Sequence, residues 1–251
     1  MWWMTVATAG NLFFIDGRTG AGDVSVLDTR TLQRSVAYPV AVLAYVDSGM
    51  AIDDAGLLWL HKATSHTSNE TWTVRMSDGV VHWAGQPGPT FYYDNLSLVF
   101  DPIQRKLVVF GWSLPAGAFE MYGSQLGDAP PWVLGAAWDP SIGGFLLLDG
   151  YGDFYRIVNY GPPVLVGSVP PEAYYVYPTT RATYFGMAYD PDTNVVWLST
   201  YSEGILGLDP ANFQVVAILD DPAIRLYGGT TQPFDPIPAQ QPELLVTGTC
   251  P

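Results

Sequence analysis

His61, His66 and His82 are the chain's candidates for metal ligation or for proton transfer near neutral pH. His61 and His66 are five residues apart, which suits neither one face of a helix nor alternate positions on one side of a strand. The only cysteine, Cys250, stands one residue from the end and adds no ligand cluster to them. The expectation is therefore no metal site and no cofactor, with His61 and His66 in a polar loop, "HKATSHTSNET" (61–71), between two strands. "DPDTN" at Asp190–Asn194 has oxygen-bearing residues at alternating positions, like the start of a calcium loop. It lacks the Gly at the sixth position and the distant Glu of an EF-hand, so a turn is expected.

Asp149 and Asp153, within "DGYGDFY", could serve as an acid/base pair for hydrolysis or elimination. Carboxylates at a glycine-rich hairpin tip more commonly serve the turn, and that is the expectation here. The chain has no G-x-S-x-G nucleophile elbow, no phosphate-binding G-x-x-x-x-G-K-[ST] loop and no G-x-G-x-x-G opening a helix. The residue types point to a non-catalytic protein, with a lyase or hydrolase ranked last.

Bulk composition narrows the partners. Of 251 residues, 24 are acidic and 10 basic, for a net charge of −14. Nucleic acid and anionic membrane surfaces both call for a basic stripe, and none is present. Hydrophobic residues make up 48%, enough for a sizeable core, and charged residues only 14%, the reverse of a disordered chain. One cysteine excludes an internal disulfide. The opening "MWWMTVATAGNLFFIDG" has neither a basic n-region nor a small-residue cleavage site, and no apolar run nears 18 residues. The expected location follows: no standard export, no membrane insertion, a protein of the cytoplasm or of a large particle. "NET" (69–71) and "NLS" (95–97) match glycosylation sequons and are then chance matches.

The elements that must position these residues are short strands. No long window carries apolar residues at helical spacing, while 26 Gly and 21 Pro separate short Val/Leu/Tyr/Phe/Trp-rich runs. The runs repeat. "LVFDPIQRKLVVFG", "AAWDPSIGGFLLLDG" and "MAYDPDTNVVWLST" each place an Asp-Pro turn between two apolar runs. Anchors at Ala9, Asp53, Asp101, Asp139, Asp190 and Asp235 are spaced by 44, 48, 38, 51 and 45 residues. Asp and Pro at the first two positions favour a type I turn, so each anchor marks a hairpin. The last full unit divides into "TYFGMAY", "NVVWLST", "GILGLD" and "FQVVAIL", and the first divides alike. A period of roughly 40–50 residues with about four strands per unit is that of propeller blades, which stack because one blade cannot cover both its own faces.

These units resemble the degenerate blades of β-propeller proteins of the broad YVTN/NHL/WD-like kind, over nearly the whole chain. The resemblance implies an all-β, single-domain propeller of four-stranded antiparallel blades: five full blades plus a closing or partial sixth. Trp138–Asp139 is not a WD40 signature, because no Gly-His partner precedes it at repeat spacing. Only two lysines, Lys62 and Lys106, together with the ragged repeats, make the chain similar in style to phage structural propellers.

In such a fold, the loops joining second to third strands, and those joining one blade to the next, emerge on one face. They carry Trp112, Tyr151, Tyr201 and His66 in the first set, and Tyr92, Tyr93, Tyr174 and Tyr175 in the second. Exposed aromatics on a rigid scaffold are what docking surfaces use. The functional expectation is a scaffold or interaction module that docks protein partners or its own copies in a large assembly such as a virion or tail. The alternative is a lectin-like propeller that binds glycans.

Overall fold

The computed structural model describes residues 4–6, 10–16, 23–29, 31, 33–38, 49–65, 68–86, 96–111, 117–170, 184–191, 193–200, 204–220 and 245–246. All regular structure among them is β-strand, so no helix there is long and apolar enough to cross a membrane. The chain is a five-bladed propeller built from five antiparallel meanders.

Blade one holds β1 (Met4–Val6), β2 (Asn11–Asp16), β3 (Asp23–Asp28) and β4 (Arg34–Tyr38). Blade two holds β5 (Met50–Ile52), β6 (Leu57–Ser65), β7 (Ser68–Arg75) and β8 (Val81–Gly85). In blade three come β9 (Leu96–Asp101), β10 (Lys106–Gly111), β11 (Ala118–Glu120) and β12 (Gln125–Gly127). Blade four has β13 (Val133–Asp139), β14 (Gly144–Asp149), β15 (Asp153–Val158) and β16 (Val164–Ser168). Blade five has β17 (Tyr184–Asp190), β18 (Val195–Thr200), β19 (Gly204–Leu208) and β20 (Val215–Asp220). A two-residue strand, β21 (Leu245–Val246), lies parallel to β20 and widens that sheet to five strands. The described part of the tail thus joins the outer edge of blade five.

The innermost strands contact one another around a closed ring, β1 to β5, β9, β13, β17 and back to β1. Each blade is contiguous in sequence, so blades five and one meet by packing. Leu12, Val24 and Leu27 of blade one share a core with Leu58 and Val74 of blade two and with Trp197 and Ile205 of blade five. Two further cores join blades four and five and blades three and four, and a smaller one joins blades two and three. Every residue of β14 is buried, which requires its uninterrupted "FLLL", because both of its faces are covered. Gly135 lets inner strands approach: a Cβ there would stand 2.7 Å from the Met187 Cβ.

The anchor aspartates hold the first hairpin of four blades. Asp101 Oδ1 accepts from the amides of Ile103 and Gln104, and Asp139 Oδ1 from the amide and hydroxyl of Ser141. Asp53 Oδ1 accepts from Ala55 and Leu57, and Asp190 Oδ1 from Thr193 at 3.4 Å. Asp101, Asp139 and Asp190 are buried. Short-range carboxylate bonds of this kind define an Asx turn, which explains why the residue recurs. In "DPDTN", Asp190 therefore does the same work as its siblings.

One expected loop is mostly ladder. The hairpin over 61–71 continues as β6 to Ser65 and resumes as β7 at Ser68, with His61 paired to Thr71. The β-branched and aromatic run "TWTV" favours extension there over a polar loop.

Candidate functional site

Meander topology puts the turns between first and second strands, and between third and fourth strands, on one face. The loops between second and third strands and between blades emerge on the other. Trp112, Tyr201, Tyr92, Tyr93, Tyr174, Tyr175 and His66 all lie outside the described residues. Tyr151 is described, and the loop face over blade four can be built around it.

Tyr151 occupies the β14–β15 hairpin and is 47% exposed. Its ring stands 5.1 Å from that of Trp132, tilted by 35°. Trp132 precedes β13 on the loop arriving from blade three, and is 44% exposed. The backbone holds both rings in place. The Gly150 amide donates to the Trp132 carbonyl at 2.8 Å, Gly152 to the Asp149 carbonyl, and Val169 to the Gly152 carbonyl.

Trp132 has φ = 59°. A bulky side chain in the left-handed region costs on the order of 1 kcal/mol or more and persists only where the surroundings enforce it. Here the enforced conformation leaves much of a large aromatic facing solvent, with Tyr151 as its ring partner.

The same hairpin holds the two acids considered for catalysis. Asp149 is buried, and its Oδ1 accepts from the amides of Tyr151 and Asp153 at 2.8 and 2.9 Å. Burial raises its pKa, and the Asp153 charge adds to that. The two amides and the Tyr155 hydroxyl pull the other way. Tyr155 is raised in turn, by burial first and then by the charges of Asp149 and Asp153. Ser168 Oγ donates to Asp153 Oδ1. Both carboxylates are thus engaged by the hairpin and its neighbouring strand. What remains toward solvent is a tilted aromatic pair with a polar margin, a surface suited to binding.

Trp132 is the residue that sequence reasoning missed. Its signal is "APPW" immediately before a strand, in an inter-blade segment of the same class as those singled out for their tyrosines. Nothing local ties it to Tyr151; the Gly150 amide does so across the β13–β14 pair.

No protein-family model matches the chain, and no curated protein matches it. Solved structures do. It is similar to a structural genomics protein of unknown function from Bacteroides thetaiotaomicron VPI-5482, with a TM-score of 0.57 and 14% identity, over 93% of this chain and 63% of that one. It is also similar to TolB from Acinetobacter baumannii, with a TM-score of 0.51 and 9% identity, over 84% of this chain and 53% of that one. The chain thus spans less than two thirds of either structure, and at these identities the likeness concerns the fold alone.

Proposed function

We propose that the chain is a non-catalytic interaction module that docks a protein partner through the loop face over blade four. The observation that carries this reading is the exposed Trp132–Tyr151 pair, fixed by backbone hydrogen bonds and held at a cost in backbone strain. Aromatic side chains that are pre-ordered lose little entropy on binding, which makes them effective anchors. The engagement of Asp149 and Asp153 within the hairpin favours docking over acid/base chemistry at this site. A large assembly is the setting we assign, and a virion or phage tail is the version supported by the scarcity of lysine and the ragged repeats.

The test is size fractionation of the native source with quantitative peptide counting for this chain. Co-migration with a large particle at fixed stoichiometry supports the reading. A freely migrating chain that turns over a substrate overturns it.

A second reading is a glycan-binding propeller, and one feature favours it: the hairpin that carries Tyr151 also carries Asp153, whose exposed hydrogen bond with Ser168 offers groups that can meet hydroxyls. A glycan array answers this. Hits lost in Trp132→Gly support the sugar, and an empty array removes it.

A further inference from the structure

The opposite face carries a second site, independent of the docking surface. Blade three and blade four end their outer hairpins alike, in Glu120-Met121-Tyr122-Gly123 and Val158-Asn159-Tyr160-Gly161. In each turn the glycine amide donates back to the first carbonyl, at 3.0 and 2.9 Å. The conformations differ. Asn159 and Tyr160 both have positive φ, of 50° and 55°, the mark of a type I′ turn, whereas neither Met121 nor Tyr122 does.

The consequence is steric. Tyr160 tucks into the groove between blades three and four. Its ring lies 5.5 Å from Phe145, and its hydroxyl donates to Asp101 Oδ2 at 2.6 Å. Only about 10 Å³ of that groove remains open. Tyr122 instead turns outward, 49% exposed, while Met121 is buried in the small core with Ala51, Leu98 and Val109. The corresponding groove between blades two and three is a cleft of about 520 Å³. That volume lies within the range of roughly 300–1,000 Å³ typical of small-molecule sites.

The cleft has an aromatic and aliphatic lining of Trp59, Phe100, Leu107 and Tyr122. Asp53 faces it as the counterpart of Asp101. Asp53 Oδ2 accepts from Trp59 Nε1 at 2.8 Å, and Oδ1 from two backbone amides, so among the described residues none of its donors is a cation. The cations nearby are already matched: Arg105 with Asp54 at 2.7 Å, and Lys106 with Glu120 at 3.0 Å. One carboxylate charge is left over beside aromatic rings.

We infer that this cleft binds an organic cation carrying an aromatic ring, an aralkylammonium group. The ring takes the place that Tyr160 fills one blade further on, and the ammonium compensates Asp53 while lying against Trp59 and Phe100, where cation–π attraction adds to the charge. The −14 net charge of the chain raises the local concentration of such a ligand.

The experiment titrates the intact chain with benzyltrimethylammonium, read by calorimetry, with benzyl alcohol and phenylacetate as neutral and anionic comparisons. Saturable binding of the cation is expected, about tenfold or more tighter than either comparison. Asp53→Asn is expected to weaken it about tenfold, and Tyr122→Ala, at the exposed mouth and outside the hairpin's hydrogen bonding, severalfold. Heteronuclear NMR spectra of both variants establish that they fold. If Asp53→Asn does not fold, Tyr122→Ala and the comparison ligands decide. No saturable cation binding, equal binding of the three ligands, or cation binding unchanged in the folded variants overturns the inference.

Discussion

Acidification through the histidine range removes a defined slice of stability, and His61 is its source. The imidazole sits in β6, 2% exposed, with neither ring nitrogen finding a hydrogen-bond partner among the described residues. Burial therefore lowers its pKa from 6.5 to about 4. The unfolded chain takes up a proton below pH 6.5, and the folded chain resists it until about pH 4. Above 6.5 both states are neutral and the full stability is present. Between those values the unfolded state binds more protons, so stability falls as pH falls, by about 1.4 kcal/mol per pH unit. Going from pH 7 to pH 5 should cost about 2 kcal/mol from this residue alone, and by pH 4 the loss reaches about 3 kcal/mol. Total stabilities of roughly 5–15 kcal/mol make that easy to read. The assay is urea unfolding across this range for the natural chain and for His61→Leu, which removes the titration and suits the apolar site. Carboxylate contributions are common to both proteins and cancel in the difference. If His61→Leu loses stability on acidification as steeply as the natural chain, burial of a neutral His61 is refuted.

Three further outcomes follow from the packing. Gly167→Ala places a Cβ about 2.2 Å from Phe213 Cδ2, driving Phe213 off its 4.1 Å stack on Phe154; thermal melting should show a loss of roughly 1–3 kcal/mol, and an unchanged melt would contradict the blade four–five contact. Tyr160→Phe deletes the hydroxyl that donates to buried Asp101 and should cost about 1–3 kcal/mol by urea unfolding, whereas Tyr122→Phe should be near neutral. Trp132→Gly relieves a left-handed backbone at an exposed position, so its melting point should equal or exceed that of the natural chain while partner binding is lost; a melt well below the natural chain's would show that the ring supports the fold.

The architecture was legible because its signals are local. An Asp side chain that caps its own hairpin writes itself into the sequence at each blade, and the strands of blades one and five fall where their turns demand. Long-range choices left no such mark. Nothing near Leu245–Val246 says that they pair in parallel with β20. The polar residues around His61 point to a loop, yet β6 runs on through it, and His61 and its cross-strand partner Thr71 are both buried. Tyr122 and Tyr160 stand third in four-residue turns that both end in Gly, and the positive φ of Asn159 and Tyr160, absent from Met121 and Tyr122, accompanies the inward ring. In the sequence, only its loop position marks Tyr151. Its partner Trp132 is 19 positions away in sequence and meets it only once β13 and β14 pair.

The docking account turns on one comparison. The natural chain and the double variant Trp132→Gly, Tyr151→Ser are each expressed in the native source, fractionated by size, and quantified by peptide counting. The account predicts that the natural chain travels with a larger partner at fixed stoichiometry, and that the folded double variant migrates alone. Identical migration of the two, whether both free or both bound, would contradict it.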